Sequence, residues 1–160
     1  MVLKAYDIVA CYGPKGGEKI VLRALSLTVE PGHLVGIQGA PKSGKTTLAS
    51  ILAGIVPPVF GEINMNGNRS ALVSLARNGR LRSKRQSSVY SNLLEAKSND
   101  PDLLIIDDAE AFGADELGEV LWQRTSSGRT TIMITSDPSP LRRANQIYLL
   151  EHGRLKSIEQ

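Results

Sequence analysis

Cysteine occurs once in the 160 residues, as Cys11. An intrachain disulfide is therefore excluded, and a reducing compartment suits the chain. With a single cysteine and two histidines, His33 and His152, a structural zinc site is not expected. Aromatic residues make up only 4% of the chain, so the core has to come from leucine, isoleucine, valine and alanine. No apolar run approaches the ~20 residues that cross a bilayer as a helix. The opening "MVLKAYDIVACYG" has one lysine and no uninterrupted apolar stretch, unlike a secretory signal. Repeats and low-complexity segments are absent. The expectation is a cytoplasmic protein whose residues 1–160 form one domain, burying roughly 70% of the surface of its unfolded chain.

Acidic residues are missing from one region. Between Arg69 and Leu94 the chain has six basic residues (Arg69, Arg77, Arg80, Arg82, Lys84, Arg85) and no acidic one, within a net charge of only +3. This run reads either as a solvated loop or as a contact for an acidic partner, lipid headgroups or nucleic acid. No aromatic interleaves the cluster, which speaks against single-stranded nucleic acid.

What is present is an alternation of strands and helices. "KAYDIVACYG" and "EKIVLRALSLTV" read as strands. In the second, Val21, Arg23, Leu25, Leu27 and Val29 alternate, and Pro31-Gly32 ends it. "HLVGIQG" is a short apolar strand, followed by a glycine-rich loop and a helix through Leu48, Ile51 and Leu52 that Gly54 stops. "GEINMNG" and "SALVSLAR" read as strands, and "SSVYSNLLEAKS" as a helix with serine caps. "DLLIIDD" is a buried strand. "ADELGEVLWQRT" is an amphipathic helix with Leu117, Val120 and Leu121 on one face and Trp122 beside it. "RTTIMITSD" is a β-branched strand suited to a central position, "SPLRRAN" a short helix, and a hairpin around His152-Gly153 closes the chain. The fold class expected is α/β, with a mostly parallel sheet flanked by helices.

"GAPKSGKTT" fits G-x-x-x-x-G-K-[ST] from Gly39 to Thr46, with a strand before it and a helix after it. Gly39 and Gly44 let the backbone of Ala40, Pro41, Lys42 and Ser43 wrap closely, so that N–H groups point at phosphate oxygens. The start of the helix, Lys45 to Thr47, adds its positive dipole end. Lys45 reaches the β- and γ-phosphates, and the Thr46 hydroxyl suits Mg²⁺. The other half of such a site is a carboxylate ending a neighbouring strand. Asp107 closes "LLII" and is assigned to the Mg²⁺ shell. The ligand expected is ATP with Mg²⁺.

The flanks of the loop carry a resemblance. Residues 2–67, from "YDIVACYG" through "LSLTVEPGHLVGIQGAPKSGKTTLASILAG" to "GEINMNG", and residues 100–156, with "DPDLLIIDDAEA", "TTIMITSD" and "ANQIYLLEHGRL", resemble an ATP-binding cassette (ABC) ATPase. The resemblance implies a P-loop NTPase-type sheet with an antiparallel β subdomain at the N-terminus. It implies that Tyr12 stacks on adenine, that Asp108 stands where a glutamate polarises the attacking water, and that Ser136 stands at the switch-histidine position. It also brings out departures. Asp108 is one methylene short, and Ala111 to Ala114 hold no aspartate. Only about 35 residues join Gly67 to Asp102, where the family has a helical subdomain with a glutamine loop and a serine-glycine-glycine signature. Residues 68–99 look like a shortened replacement, with Ser83 and Gln86 as polar echoes and Lys84-Arg85 where glycines are wanted.

Two functions from different classes follow, with two further alternatives. One is a Mg-ATP-binding protein with weak or absent hydrolysis, acting as a nucleotide-dependent regulatory or assembly component of a partner complex. Oligomers are compatible with it, but not the usual signature-mediated homodimer. The other is an active subunit of a transporter or other membrane machine, peripheral at the inner face, with the signature supplied by a partner. A small P-loop kinase using the Arg80–Arg85 cluster as a lid, and a relic loop serving only as scaffold, stay open. Nucleic acid is not favoured as a partner.

Overall fold

The computed structural model describes residues 2–66, 70–74, 87–90 and 92–158, with strand 87–90 described by its backbone. The basic run Arg77–Arg85, with Arg69, Ser83 and Gln86, lies outside the described residues. In chain order the strands are β1 (Leu3–Tyr12), β2 (Lys19–Val29), β3 (Leu34–Gly39), β4 (Phe60–Met65), β5 (Ser70–Val73), β6 (Ser87–Tyr90), β7 (Leu103–Ile106), β8 (Thr130–Thr135), β9 (Gln146–Glu151) and β10 (Arg154–Ile158). The helices are α1 (Lys45–Leu52), α2 (Leu93–Ser98) and α3 (Ala114–Ser126). Single 3-10 turns cover Ala109–Ala111 and Ser139–Arg143.

The fold is the α/β class expected. Seven strands form one sheet in the order β10-β9-β3-β8-β7-β5-β6, parallel except for the β9–β10 hairpin. β7 and β8 are buried along their whole length, which is why "LLII" and "TTIMIT" show almost no alternation. Successive residues of β7 feed opposite faces. Leu103 and Ile105 join a core with Ile37, Leu48, Ile51, Leu52 and Ile134. Leu104 and Ile106 join another with Leu93, Leu117, Val120 and Met133.

The first core also includes the inner face of a separate antiparallel sheet, β2-β1-β4, through Leu3, Ile8, Leu22, Leu25, Leu27 and Val29. Here the alternation expected along β2 holds only from Leu25 onward. The Ala10–Leu22 and Ile8–Leu25 pairs leave one extra residue on β2, and Ala24 has φ of 51°. That bulge shifts the phase, so Leu22 is buried while Arg23 is exposed. A matching extra residue on β1, Asp7 with φ of 50°, lies between the Ala5–Leu27 and Ile8–Leu25 pairs.

One expected helix is corrected. "SSVYSNLLEAKS" is a strand over Ser87–Tyr90 and a helix only from Leu93. The cap is Asn92, whose Oδ1 accepts from the Glu95 N–H at 2.7 Å, rather than a serine. The β-branched and aromatic pair Val89-Tyr90 follows the strand preference, and β5 offers a parallel edge to pair with. Along α3, Leu117 and Val120 are buried and Leu121 half-buried, but Trp122 is 64% exposed. The buried side of α3 also holds Arg124. Its Nε donates to Thr131 Oγ1 at 3.0 Å, and its Nη2 to the carbonyls of Pro101 and Thr130, both at 2.9 Å. Burial pushes this guanidinium down to about 10, against the pull of Asp100 and Asp102. No described helix is long and apolar enough to cross a membrane.

Candidate functional site

The registers of the central strands place the site. β3, β8 and β7 run parallel, with Gln38 opposite Thr135 and Met133 opposite Ile106. Gly39, Ser136 and Asp107, the residues at or just beyond their C-terminal ends, therefore come to one edge of the sheet. Ligands of open α/β sheets bind at that edge.

The loop from Gly39 to Lys45 turns tightly there. A Cβ on Gly39 would stand 2.5 Å from Ser43 Oγ, and Gly44 has φ of 100° with Val21 Cγ1 2.8 Å from where a Cβ would be. Both positions exclude a side chain, as the motif predicts. The Lys45 ammonium arches back over the loop and donates to the Ala40 carbonyl at 2.7 Å. The side chain is 8% exposed. Ser43 Oγ is buried and has no hydrogen-bond partner among the described residues. A hydroxyl left unpaired inside a loop of this shape fits a bound phosphate.

The second half of the motif is in place beside it. Thr46 Oγ1 donates to Asp107 Oδ2 at 2.8 Å, and Asp107 Oδ1 accepts from the Asp108 N–H at 3.1 Å. Asp107 is fully buried, and its own N–H is held by the Val73 carbonyl at 2.9 Å. Burial pushes its carboxyl above the usual aspartate range. The neighbouring Asp108 charge pushes the same way, while the Thr46 hydroxyl and Lys45 oppose it. A hydroxyl and a carboxylate held together suit a hard divalent cation.

Lys45 and Thr46 line a cleft of about 800 Å³, while Asp107 is fully buried and bonded to Thr46 without lining it. Of the residues named from the sequence, Tyr12, Pro41, Lys42, Gly44, Lys45, Thr46, Thr47, Asp108 and Ser136 line it. Tyr12 is 76% exposed, with its ring free of the core. Ala40 and Ser43 line a neighbouring cleft together with Lys19, Arg23 and His152, and Pro41 and Lys42 line both. Asp108 sits in the left-handed region with φ of 52°.

Sequence reasoning missed Glu110. It lines the same cleft. Its Oε1 accepts from Ser136 Oγ at 2.5 Å and from the Ser136 N–H at 3.2 Å, and its Oε2 accepts from Thr135 Oγ1 at 2.6 Å. Burial alone would raise its carboxyl, but the hydrogen bonds from Ser136 and Thr135 outweigh that and hold it below the usual range. The only trace in the sequence is a third acid in "DDAEA", two residues past the strand-end pair. Val21, which lines the cleft, was missed as well.

The same arrangement of strands occurs in known proteins. The ATP-binding cassette MJ0796, in a dimeric post-hydrolysis state bound to ADP and Pi, superposes with a TM-score of 0.79 at 15% identity, covering 98% of both chains. A nucleotide-free ATP-binding cassette from an ABC transporter gives 0.70 at 13% identity, covering 96% of this chain and 89% of that one. At such identities the likeness shows the fold. In sequence, the hemin import ATP-binding protein HmuV of Bordetella avium is 39% identical over 82 residues, 51% of this chain and 30% of that protein. The lipoprotein-releasing system ATP-binding protein LolD of Alcanivorax borkumensis is 36% identical over 89 residues, 56% of this chain and 39% of that one. The chain thus spans about a third of the length of the curated relatives it matches. The family model described as ABC transporter matches residues 22–128, more than half of the chain, and with the P-loop, the Asp107 strand and the cassette fold in agreement the chain belongs to the ABC transporter family.

Proposed function

We propose that this chain binds Mg-ATP, hydrolyses it slowly or not at all, and uses the bound state to hold or regulate a partner complex. The observation that carries the binding half is the 2.8 Å bond from Thr46 to Asp107 beside the tight 39–45 loop. In this reading the backbone of Ala40 to Thr47 and the Lys45 ammonium hold the phosphates. Tyr12 stacks on adenine, and Thr46 and Asp107 hold Mg²⁺. The metal would neutralise charge on the terminal phosphate oxygens.

The slow-hydrolysis half rests on what the cleft offers a water. Hydrolysis needs a water in line, a base for its proton and charge stabilisation at the γ-phosphate. Asp108 has the short side chain of an aspartate on a left-handed backbone. Both hydrogen-bond donors of Ser136 are engaged by Glu110. Losing a positioned general base lowers a rate by about 10²–10⁴-fold.

A second reading has one observation in its favour. The relatives HmuV and LolD are named as ATP-binding proteins of import and release systems. This chain would then be the ATP-binding subunit of such a machine, peripheral at the inner face of the membrane, with a partner completing the site. One pair of measurements separates the two. Purified protein is titrated with labelled ATP and Mg²⁺ and then assayed for phosphate release, alone and with partners recovered from a native lysate. Binding with release far below the ~10 s⁻¹ of a typical enzyme in both settings supports the first reading. Release that rises to that range once partners are added supports the second.

A further inference from the structure

Glu110 belongs to neither half of the nucleotide motif, yet it is the most heavily bonded side chain of the cleft's far end. It stands on the 3-10 turn after β7 and reaches across to the end of β8, 26 residues away in sequence. An ionised carboxylate has no hydrogen to give, so each of its contacts must be donated to it. Ser136 therefore spends its only hydroxyl hydrogen on Glu110, and its backbone N–H as well. What Ser136 Oγ can still show to a ligand is lone pairs.

The consequence is a terminal-phosphate end made of acceptors. A P-loop holds the α- and β-phosphates on its amides, and its lysine reaches from β to γ. A third phosphate would extend past Lys45 into the rest of the cleft, which the Asp108 and Glu110 carboxylates and Ser136 line, with Asp107 bonded to Thr46. The lysines lining the cleft are Lys42 and Lys45. A diphosphate stops short of this group.

We propose that Glu110 sets nucleotide preference, making the cleft favour a nucleoside diphosphate over the triphosphate by turning Ser136 into an acceptor and adding a carboxylate where the γ-phosphate would lie. This rests on the reading of the cleft as a nucleotide site. It biases the nucleotide-bound protein toward the diphosphate, a bias that relaxes when Glu110 is drawn off Ser136.

The test is calorimetric titration of the full chain with ADP and with a methylene-bridged, non-hydrolysable ATP analogue, both with Mg²⁺. Wild type, Glu110→Gln and Ser136→Ala are compared. The wild type should bind ADP about tenfold more tightly than the triphosphate, the size a single like charge can impose at a partly exposed site. Glu110→Gln should tighten the triphosphate about tenfold and leave ADP within about twofold. Ser136→Ala keeps the charge and should recover only part of that gain. An unchanged ratio in Glu110→Gln, or a parallel shift of both nucleotides, overturns the inference, since a merely structural role moves both together. Binding of neither nucleotide at millimolar concentration overturns instead the assignment of the cleft to nucleotide.

Discussion

The hydroxyl of Thr46 donates to Asp107 across 61 residues of sequence at 2.8 Å. This bond ties the first turn of α1 to the end of β7 and holds the loop and the carboxylate strand together. Mg-ATP that binds only the folded chain should stabilise it by RT ln(1 + [L]/Kd) and so raise the melting temperature, and Lys45→Ala should remove the shift. A scan showing no shift at millimolar nucleotide would favour a relic loop acting only as scaffold.

Tyr12 is exposed at the mouth of the cleft rather than packed under its turn. Its replacement by alanine should leave stability nearly unchanged and weaken ATP binding by about 1–3 kcal/mol, the range for aromatic–base stacking. Equal affinities in a direct titration would mean that adenine lies elsewhere.

Glu110 also makes stability depend on pH, and the sign follows from its hydrogen bonds. Its native carboxyl is held below the ordinary glutamate value of 4.5. A depressed carboxylate contributes stability above the unfolded value, and that contribution is lost as pH falls through the native one. The wild type should thus be the more stable of the pair wild type and Glu110→Gln at neutral pH, with the gap closing below pH 4.5. The side chain is partly in water, so the gap should be small. Chemical denaturation of both proteins across the acid range reads it, and a gap independent of pH would mean that the charge is not involved.

Restoring the family's catalytic groups should achieve little. Asp108→Glu combined with Ser136→His is expected to raise phosphate release by no more than about tenfold, roughly 1.4 kcal/mol of barrier. Catalytic parts that act as a unit are not additive, and the Glu110 carboxylate still faces position 136. Fast turnover by the wild type, abolished by Asp108→Asn, would make Asp108 a competent base and sink the slow-hydrolysis reading.

Arg124 is a structural cation whose removal should be costly. Arg124→Met removes the charged donor from the buried carbonyls of Pro101 and Thr130, and a buried acceptor left unsatisfied costs about 1–3 kcal/mol. The denaturation midpoint in urea should fall accordingly, with nucleotide affinity unchanged in whatever fraction is folded. A midpoint within error of wild type would show that water reaches those carbonyls.

Much of this protein was determined by its sequence alone. The tight loop, Lys45, Thr46, the buried strand ending at Asp107 and the order of most elements were legible. Each is a local requirement: glycine where a Cβ would clash, a hydrophobic run where both faces are covered, a carboxylate at a strand end. Gly54 stopping α1 is of the same kind: its N–H is bonded to the Ile51 carbonyl at 2.9 Å and its φ is 73°.

What only the tertiary structure decided is non-local. The phase of β2 depends on a bulge at Ala24, opposite a strand that carries its own extra residue at Asp7. Ser87–Tyr90 is a strand because β5 lies open beside it, a partner that the segment's own composition does not reveal. Glu110 became part of the cleft only because parallel pairing of β7 and β8 brings the turn after one strand within hydrogen-bonding distance of the end of the other. A sequence pattern records spacing along the chain. Which carboxylate meets Ser136 is decided by register across the sheet, and so by packing energies spread over both cores.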